Sequence, residues 1–186
     1  PVPRGIVKTF ADPSWRKALL SEFDSLVTNK VFVIEDYPKQ FVKVIYMHLI
    51  NSEKRDENGH VVKKKSRLVV NGSAQSREDS YFETFAPVLT RESFRLLITK
   101  AAQEGWTILQ YDVETAFLLA PLPASEVIYI RPPAGFHLMC EARNIPFKEG
   151  QLIRAVQAWY GLKTSPRHWN KKFLGDLINF GFEQLP

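Results

Sequence analysis

The sequence predicts an α+β fold, and three observations lead there. Segments over about 13–28, 91–104 and from Ser165 to Gly181 carry apolar residues at helical spacing. Residues 41–50 and 61–70 are rich in β-branched and aromatic side chains and flank the turn signal Asn58-Gly59. The order of elements, which is helix, ribbon, loop, helix, strand, short helix, strand, helix, lacks the strand–helix alternation of a doubly wound sheet.

Each element has its own signal. Asp12-Pro13 reads as an N-cap with Pro at the first helical position, and Trp15, Ala18, Leu19, Phe23, Leu26 and Val27 follow on one face. The runs 41–50 and 61–70 make a long two-stranded ribbon, whose second strand bears Lys63, Lys64, Lys65 and Arg67. Those cations suit an anionic partner, with an edge strand kept soluble by lysines as the alternative. Residues 73–90 are irregular, with Tyr81, Phe82, Phe85 and Pro87 expected to pack as an ordered loop. Thr90 caps a helix over 91–104, with Phe94, Leu97, Ile98 and Ala101 on one face and Gly105 at its end. Trp106 to Val113 reads as an apolar strand, 114–119 as a short helix and Val127–Arg131 as another strand closed by Pro132-Pro133-Ala134-Gly135. Leu152-Ile153 gives a weak strand signal. Ser165-Pro166 opens a last helix with Trp169, Phe173, Leu177 and Ile178 facing inward.

Composition narrows the function classes. In 186 residues, apolar side chains make up 45% and charged ones 24%, as in globular domains. An excess of 25 Lys and Arg over 20 Asp and Glu gives +5, which favours an anionic partner. Cys140 is the single cysteine, so no intrachain disulfide forms and an intracellular setting is expected. No stretch approaches the roughly 18 apolar residues of a membrane span. A first residue other than Met and the ending Gln184-Leu185-Pro186 suggest a segment of something longer.

Phosphate-loop, paired-cysteine and His-x-x-His signatures are absent, and His48, His60, His137 and His168 are scattered. The conspicuous residue is Asp112, an acid expected at the C-terminal end of a buried strand. Burial there costs free energy unless a cation or hydrogen-bond donor compensates it. Function and capping of the following short helix both explain it.

Lys65-Ser66-Arg67-Leu68-Val69-Val70-Asn71-Gly72, Tyr81-Phe82-Glu83-Thr84-Phe85-Ala86-Pro87-Val88 and Gln110-Tyr111-Asp112-Val113 occur in the order seen in Copia-type retrotransposon reverse transcriptases. Val127-Ile128-Tyr129-Ile130-Arg131-Pro132-Pro133 and Trp159-Tyr160-Gly161-Leu162-Lys163 extend the likeness, which runs from about Trp15 to the end. The resemblance implies an antiparallel sheet packed on helices: a fingers-like part over about 1–90 and a partial palm over 91–186, within one reverse-transcriptase fragment. Two lobes sharing the helix over 91–104 is the expected arrangement.

By the same resemblance, Asp112 is the first catalytic aspartate of the palm. It would bind Mg²⁺ in the complete enzyme together with the Val113 carbonyl. Two metals about 4 Å apart would activate a primer 3′-hydroxyl. Phe117 resembles a steric gate against a ribose hydroxyl, or is an ordinary core Phe. Lys65 and Arg67 would clamp the triphosphate, Arg through its planar fork. Lys63 and Lys64 would face solvent or template phosphates. Gly161 and Lys163 look like a second motif, a close backbone approach beside the nucleotide with a lysine available to phosphate. Arg167 and Lys171 are candidates for backbone contacts to primer–template or a solvated helix face.

The implied partners are an RNA or DNA template with primer, deoxynucleoside triphosphates and the remainder of a Pol polyprotein, with no membrane. The implied location is a cytoplasmic virus-like particle or the nucleus. The resemblance also has gaps. After Asp112 the next aspartate is Asp176, and no Asp-Asp pair occurs in the chain, so this segment alone is not expected to polymerise. Ile45-Tyr46-Met47-His48 replaces a more usual Trp-Val-Phe-Lys, and Ala155-Val156-Gln157-Ala158-Trp159 a Lys-Ser-Leu type approach. Asn71 stands where a basic residue is common. These changes point to a diverged or decaying copy, and a non-catalytic nucleic-acid-binding module is the alternative.

Overall fold

A computed structural model describes residues 2–75 and 84–183. Helix α1 (Ile6–Ala11) precedes α2 (Pro13–Thr28), which begins as its sequence dictates. The Asp12 carboxylate accepts from the Ser14 and Trp15 amides, and the Ser14 hydroxyl and these amides hold its pKa below the ordinary carboxylate value. Leu19, Phe23 and Leu26 then fall on one buried stripe.

Strands β1 (Phe32–Glu35), β2 (Val44–Arg55), β3 (Val61–Val70), β4 (Tyr129–Arg131) and β5 (Leu152–Ala155) form a single sheet in the order β1-β5-β4-β2-β3. Pairing is antiparallel at every junction except β2 with β4, which run parallel. The ribbon of β2 and β3 is longer than its apolar composition predicted. The polar stretch Asn51–Arg55 continues β2 because it pairs with Val61–Ser66, from Asn51↔Ser66 to Arg55↔Val61. Phe41 lies outside the strand and is almost wholly exposed.

One core joins the elements. Leu19, Phe23 and Leu26 of α2 pack with Ile45, Met47, Leu68, Val70, Ile130 and Ile153 of the sheet, and with Phe136, Met139 and Cys140 of helix α4 (Phe136–Ala142). Phe23 meets Phe136 edge-on at 5.7 Å, and Phe32 stacks on Trp159 at 5.7 Å, each pair contributing about 0.5–1.5 kcal/mol beyond area burial. Desolvation in this core pushes the Cys140 thiol up to about 11, so it stays protonated and inert at neutral pH. Among the described residues no helix is long and apolar enough to cross a membrane.

Several expectations are corrected. Trp106 to Val113 forms no strand, since no partner among the described residues pairs with it, and Ile108, Leu109 and Tyr111 stand exposed. An extended segment becomes a strand only through a neighbour's hydrogen bonds. Helix α3 (Arg91–Glu104) forms as read, capped by the Thr90 hydroxyl and ended by Gly105, but of its apolar face only Ala101 is buried. Helix α5 (Ser165–Asn179) also forms, yet Phe173 and Ile178 remain exposed rather than inward, and Trp169 stacks on Phe173 at 5.5 Å. Phe85 is 77% exposed and does not pack, while Tyr81 and Phe82 lie outside the described residues.

Candidate functional site

Strand β3 is an edge of the sheet, and its outward backbone groups need partners. The Leu68 amide donates to Glu22 Oε1 at 3.2 Å, and the Leu68 carbonyl accepts from Trp159 Nε1 at 2.8 Å. The Val70 amide donates to the Tyr160 carbonyl at 2.8 Å. Helix α2 and the turn 159–162 thus close the edge from two sides.

That turn depends on backbone without side chains. A Cβ on Gly72 would lie 2.0 Å from the Gly161 carbonyl oxygen, and one on Gly161, at φ +93°, would lie 2.0 Å from the Val70 carbonyl oxygen. Ser165 Oγ donates to the Trp159 carbonyl at 2.6 Å and accepts from the Trp159 amide at 3.0 Å, which ties the turn to the start of α5. The Lys163 amide and Nζ donate to Gln75 Oε1 and the Gln75 carbonyl at 2.8 and 2.9 Å. Thr164 Oγ1 donates to Glu126 at 2.6 Å, and His168 Nε2 lies 2.7 Å from the same buried carboxylate. His168 is therefore a partnered interior histidine.

In front of the turn opens a cleft of about 500 Å³ between Ala18, Ser21 and Glu22 of α2, residues 63–67 of β3, residues 112–117 and Tyr160. It brings together Lys63, Lys64, Lys65, Arg67, Asp112, Val113 and Phe117. Alternation along β3 divides its cations. Ser66 and Leu68 are buried, Lys64 is half-buried, and Lys63, Lys65 and Arg67 are exposed. The Lys64 ammonium lies 5.1 Å from the Trp15 ring centroid and donates to Ser14 Oγ at 2.5 Å, so a cation–π contact and a hydrogen bond hold it against α2.

Asp112 is exposed rather than buried at a strand end. The capping alternative also falls, because the 3₁₀ turn Ala116–Leu119 has Thr115 as its N-cap. Thr115 adopts φ +53°, a left-handed conformation that a β-branched residue reaches only under strain. This turns the chain so that Leu118 enters the core and Phe117 rests beside Tyr160, with ring centroids 6.1 Å apart. Gly161 and Lys163 stand behind Tyr160, outside the cleft lining, and Arg167 and Lys171 are exposed on α5.

Sequence reasoning missed Glu22 and Tyr160. Burial pushes the Glu22 carboxyl up from its ordinary value, while the Leu68 amide and the charges of Arg67 and Lys65 pull it down. Burial and the Glu22 charge raise the Tyr160 phenol, with Arg67 opposing. The signal for Glu22 was its place on the apolar stripe, three residues after Leu19 and four before Leu26. Tyr160 carried no signal beyond its motif.

Among the described residues no three His, Cys, Asp or Glu side chains converge. Two-metal chemistry draws carboxylates from more than one element, so these residues do not complete such a centre.

The family described as reverse transcriptase (RNA-dependent DNA polymerase) matches residues 29–186. The chain is 30% identical to the retrovirus-related Pol polyprotein from transposon RE1 of Arabidopsis thaliana, over 97% of this chain and 12% of that protein. It is 31% identical to the Pol polyprotein from transposon RE2 of the same plant, again over 97% of this chain and 12% of that protein. Against the Pol polyprotein from transposon TNT 1-94 of Nicotiana tabacum it is 32% identical, over 84% of this chain and 11% of that protein. The chain thus spans about one eighth of the length of these relatives. No solved structure matches it.

Proposed function

Because this chain belongs to the reverse transcriptase (RNA-dependent DNA polymerase) family, being a piece of a Copia-type Pol polyprotein, we propose that its cleft is the nucleotide-facing side of a polymerase site. The observation that carries the reading is convergence. Lys65 and Arg67 on β3 and Asp112, Val113 and Phe117 from a distant segment line one cleft, while Gly161, outside the lining, packs on Val70 of β3.

In this reading the cations hold the triphosphate of a deoxynucleoside triphosphate, Arg67 through paired donors and Lys65 as a point charge. Phe117, held by Tyr160, sets the floor under the sugar. Asp112 is one carboxylate of a Mg²⁺ centre that the described residues do not complete. Lys63 near the hairpin turn of the ribbon, with Arg167 and Lys171 on α5, would contact template or primer phosphates. Lys163, bonded to Gln75, would steady the turn beside the nucleotide.

The exposed apolar residues Trp106, Ile108, Leu109 and Tyr111 offer further Pol sequence a surface to pack on, and the division into fingers over about 1–90 and partial palm over 91–186 is carried over from the family resemblance. By itself the chain would act as a binding module for nucleotide and nucleic acid. The test is made in the polymerase that contains this chain. There Asp112→Asn is expected to abolish nucleotide incorporation while primer–template affinity holds, and continued primer extension would remove Asp112 from the site.

A further inference from the structure

Glu22 is 8% exposed, lines the cleft beside Lys65 and Arg67, and has one oxygen committed to the Leu68 amide at 3.2 Å. Its amide isostere would keep that acceptor. Glutamine Oε1 accepts the same hydrogen bond without the desolvation cost that a buried carboxylate carries. The hydrogen bond therefore does not require the charge. What the charge meets is the positive field of Arg67 and Lys65 on β3, with Tyr160 across the cleft.

We infer that Glu22 is a positioning residue whose negative charge offsets the two β3 cations and loosens the cleft's hold on polyphosphate. This rests on the reading of the cleft as a triphosphate site. A site that must release pyrophosphate after each turnover is served by cations strong enough to orient a triphosphate but not to retain its product. An anion fixed in the wall lowers the field by a constant amount. Lys65 and Arg67 are both exposed on β3 and line the same cleft as Glu22, so phosphate oxygens entering it meet the cations and the carboxylate together.

The test uses this chain with inorganic tripolyphosphate as the probe, by titration calorimetry and thermal melting. The wild-type chain is expected to bind, Arg67→Ala to bind more weakly, and Glu22→Gln to bind about three- to tenfold more tightly with a steeper loss of affinity on adding salt. Glu22→Gln should also melt no lower than wild type. A residue serving only to brace β3 would give no gain in affinity. Glu22→Gln affinity within twofold of wild type, while Arg67→Ala still weakens binding, overturns the role of Glu22 and leaves the cleft reading standing. So does a Glu22→Gln chain without a cooperative melt, since the charge would then be needed for folding. Absence of tripolyphosphate binding by the wild-type chain, or indifference to Arg67→Ala, overturns both.

Discussion

Substituting Gly161 by alanine separates two costs that usually arrive together. An alanine Cβ there would sit 2.0 Å from the Val70 carbonyl oxygen and 2.8 Å from Val69 Cγ1, at φ +93°. Holding alanine at positive φ costs about 1–2 kcal/mol. Clearing the carbonyl needs a backbone shift of roughly 1 Å, which strains the hydrogen bond from the Val70 amide to the Tyr160 carbonyl, worth about 1 kcal/mol. The same shift disturbs the buried bond from Trp159 to Leu68, adding about another 1 kcal/mol. The total is about 3–4 kcal/mol, or a fall in Tm of roughly 6–16 °C for a chain of this size.

Gly150 supplies the control, because its φ is +92° and a Cβ there meets nothing within 4 Å. Gly150→Ala should carry the conformational cost alone, about 1–2 kcal/mol. Urea denaturation followed by tryptophan fluorescence reads both variants. Equal losses for the two, or a Gly161→Ala loss under about 1 kcal/mol, would refute the claim that this turn exists to bring two backbones together.

Other expectations follow from the same contacts. Since the folded state holds the Glu22 carboxyl above its ordinary value of 4.5, the folded chain binds the extra proton between that value and the raised one. Its contribution is full below the ordinary value and is lost as pH rises through the raised one, so Glu22→Gln should melt higher than wild type at pH 7 and lose that advantage near pH 4. Trp159→Phe leaves the Leu68 carbonyl unpaired in a fully buried site and should cost about 1–3 kcal/mol by chemical denaturation, and an unchanged midpoint would show that water replaces the bond. In the polymerase containing this chain, Phe117→Val should raise ribonucleotide incorporation by about tenfold or more, and unchanged sugar discrimination would make Phe117 a packing residue only.

Local chemistry explains which parts of this molecule could be read in advance. Asp12-Pro13, Thr90 and Gly105 mark helix ends because a cap acts on the adjacent amides and carbonyls, and all three act as read. Strand β1 went unseen because Phe32–Glu35 is extended only through its pairing with Leu152–Ala155, more than a hundred residues away. Helices α1 and α4 are short, and neighbours such as Phe23 against Phe136 hold them more than their own propensity does. The reverse failure occurs at Trp106–Val113, where a strand-like sequence has no partner among the described residues. The family motifs supplied Lys65, Arg67, Asp112 and Phe117, and the structure draws them to one cleft. Glu22 escaped because a glutamate in a helix is ordinarily solvated, and only the approach of β3 makes it interior.

On the proposed reading the cleft takes a nucleoside triphosphate through Arg67. Binding of deoxythymidine triphosphate to the folded chain, titrated at low and moderate salt for wild type and Arg67→Ala, tests it most directly. A charge-assisted hydrogen bond is worth about 1.5–3 kcal/mol, so Arg67→Ala should lose about tenfold or more in affinity and show a shallower salt dependence while still melting cooperatively. An Arg67→Ala chain that binds the nucleotide within twofold of wild type would rule out Arg67 as a ligand of the triphosphate.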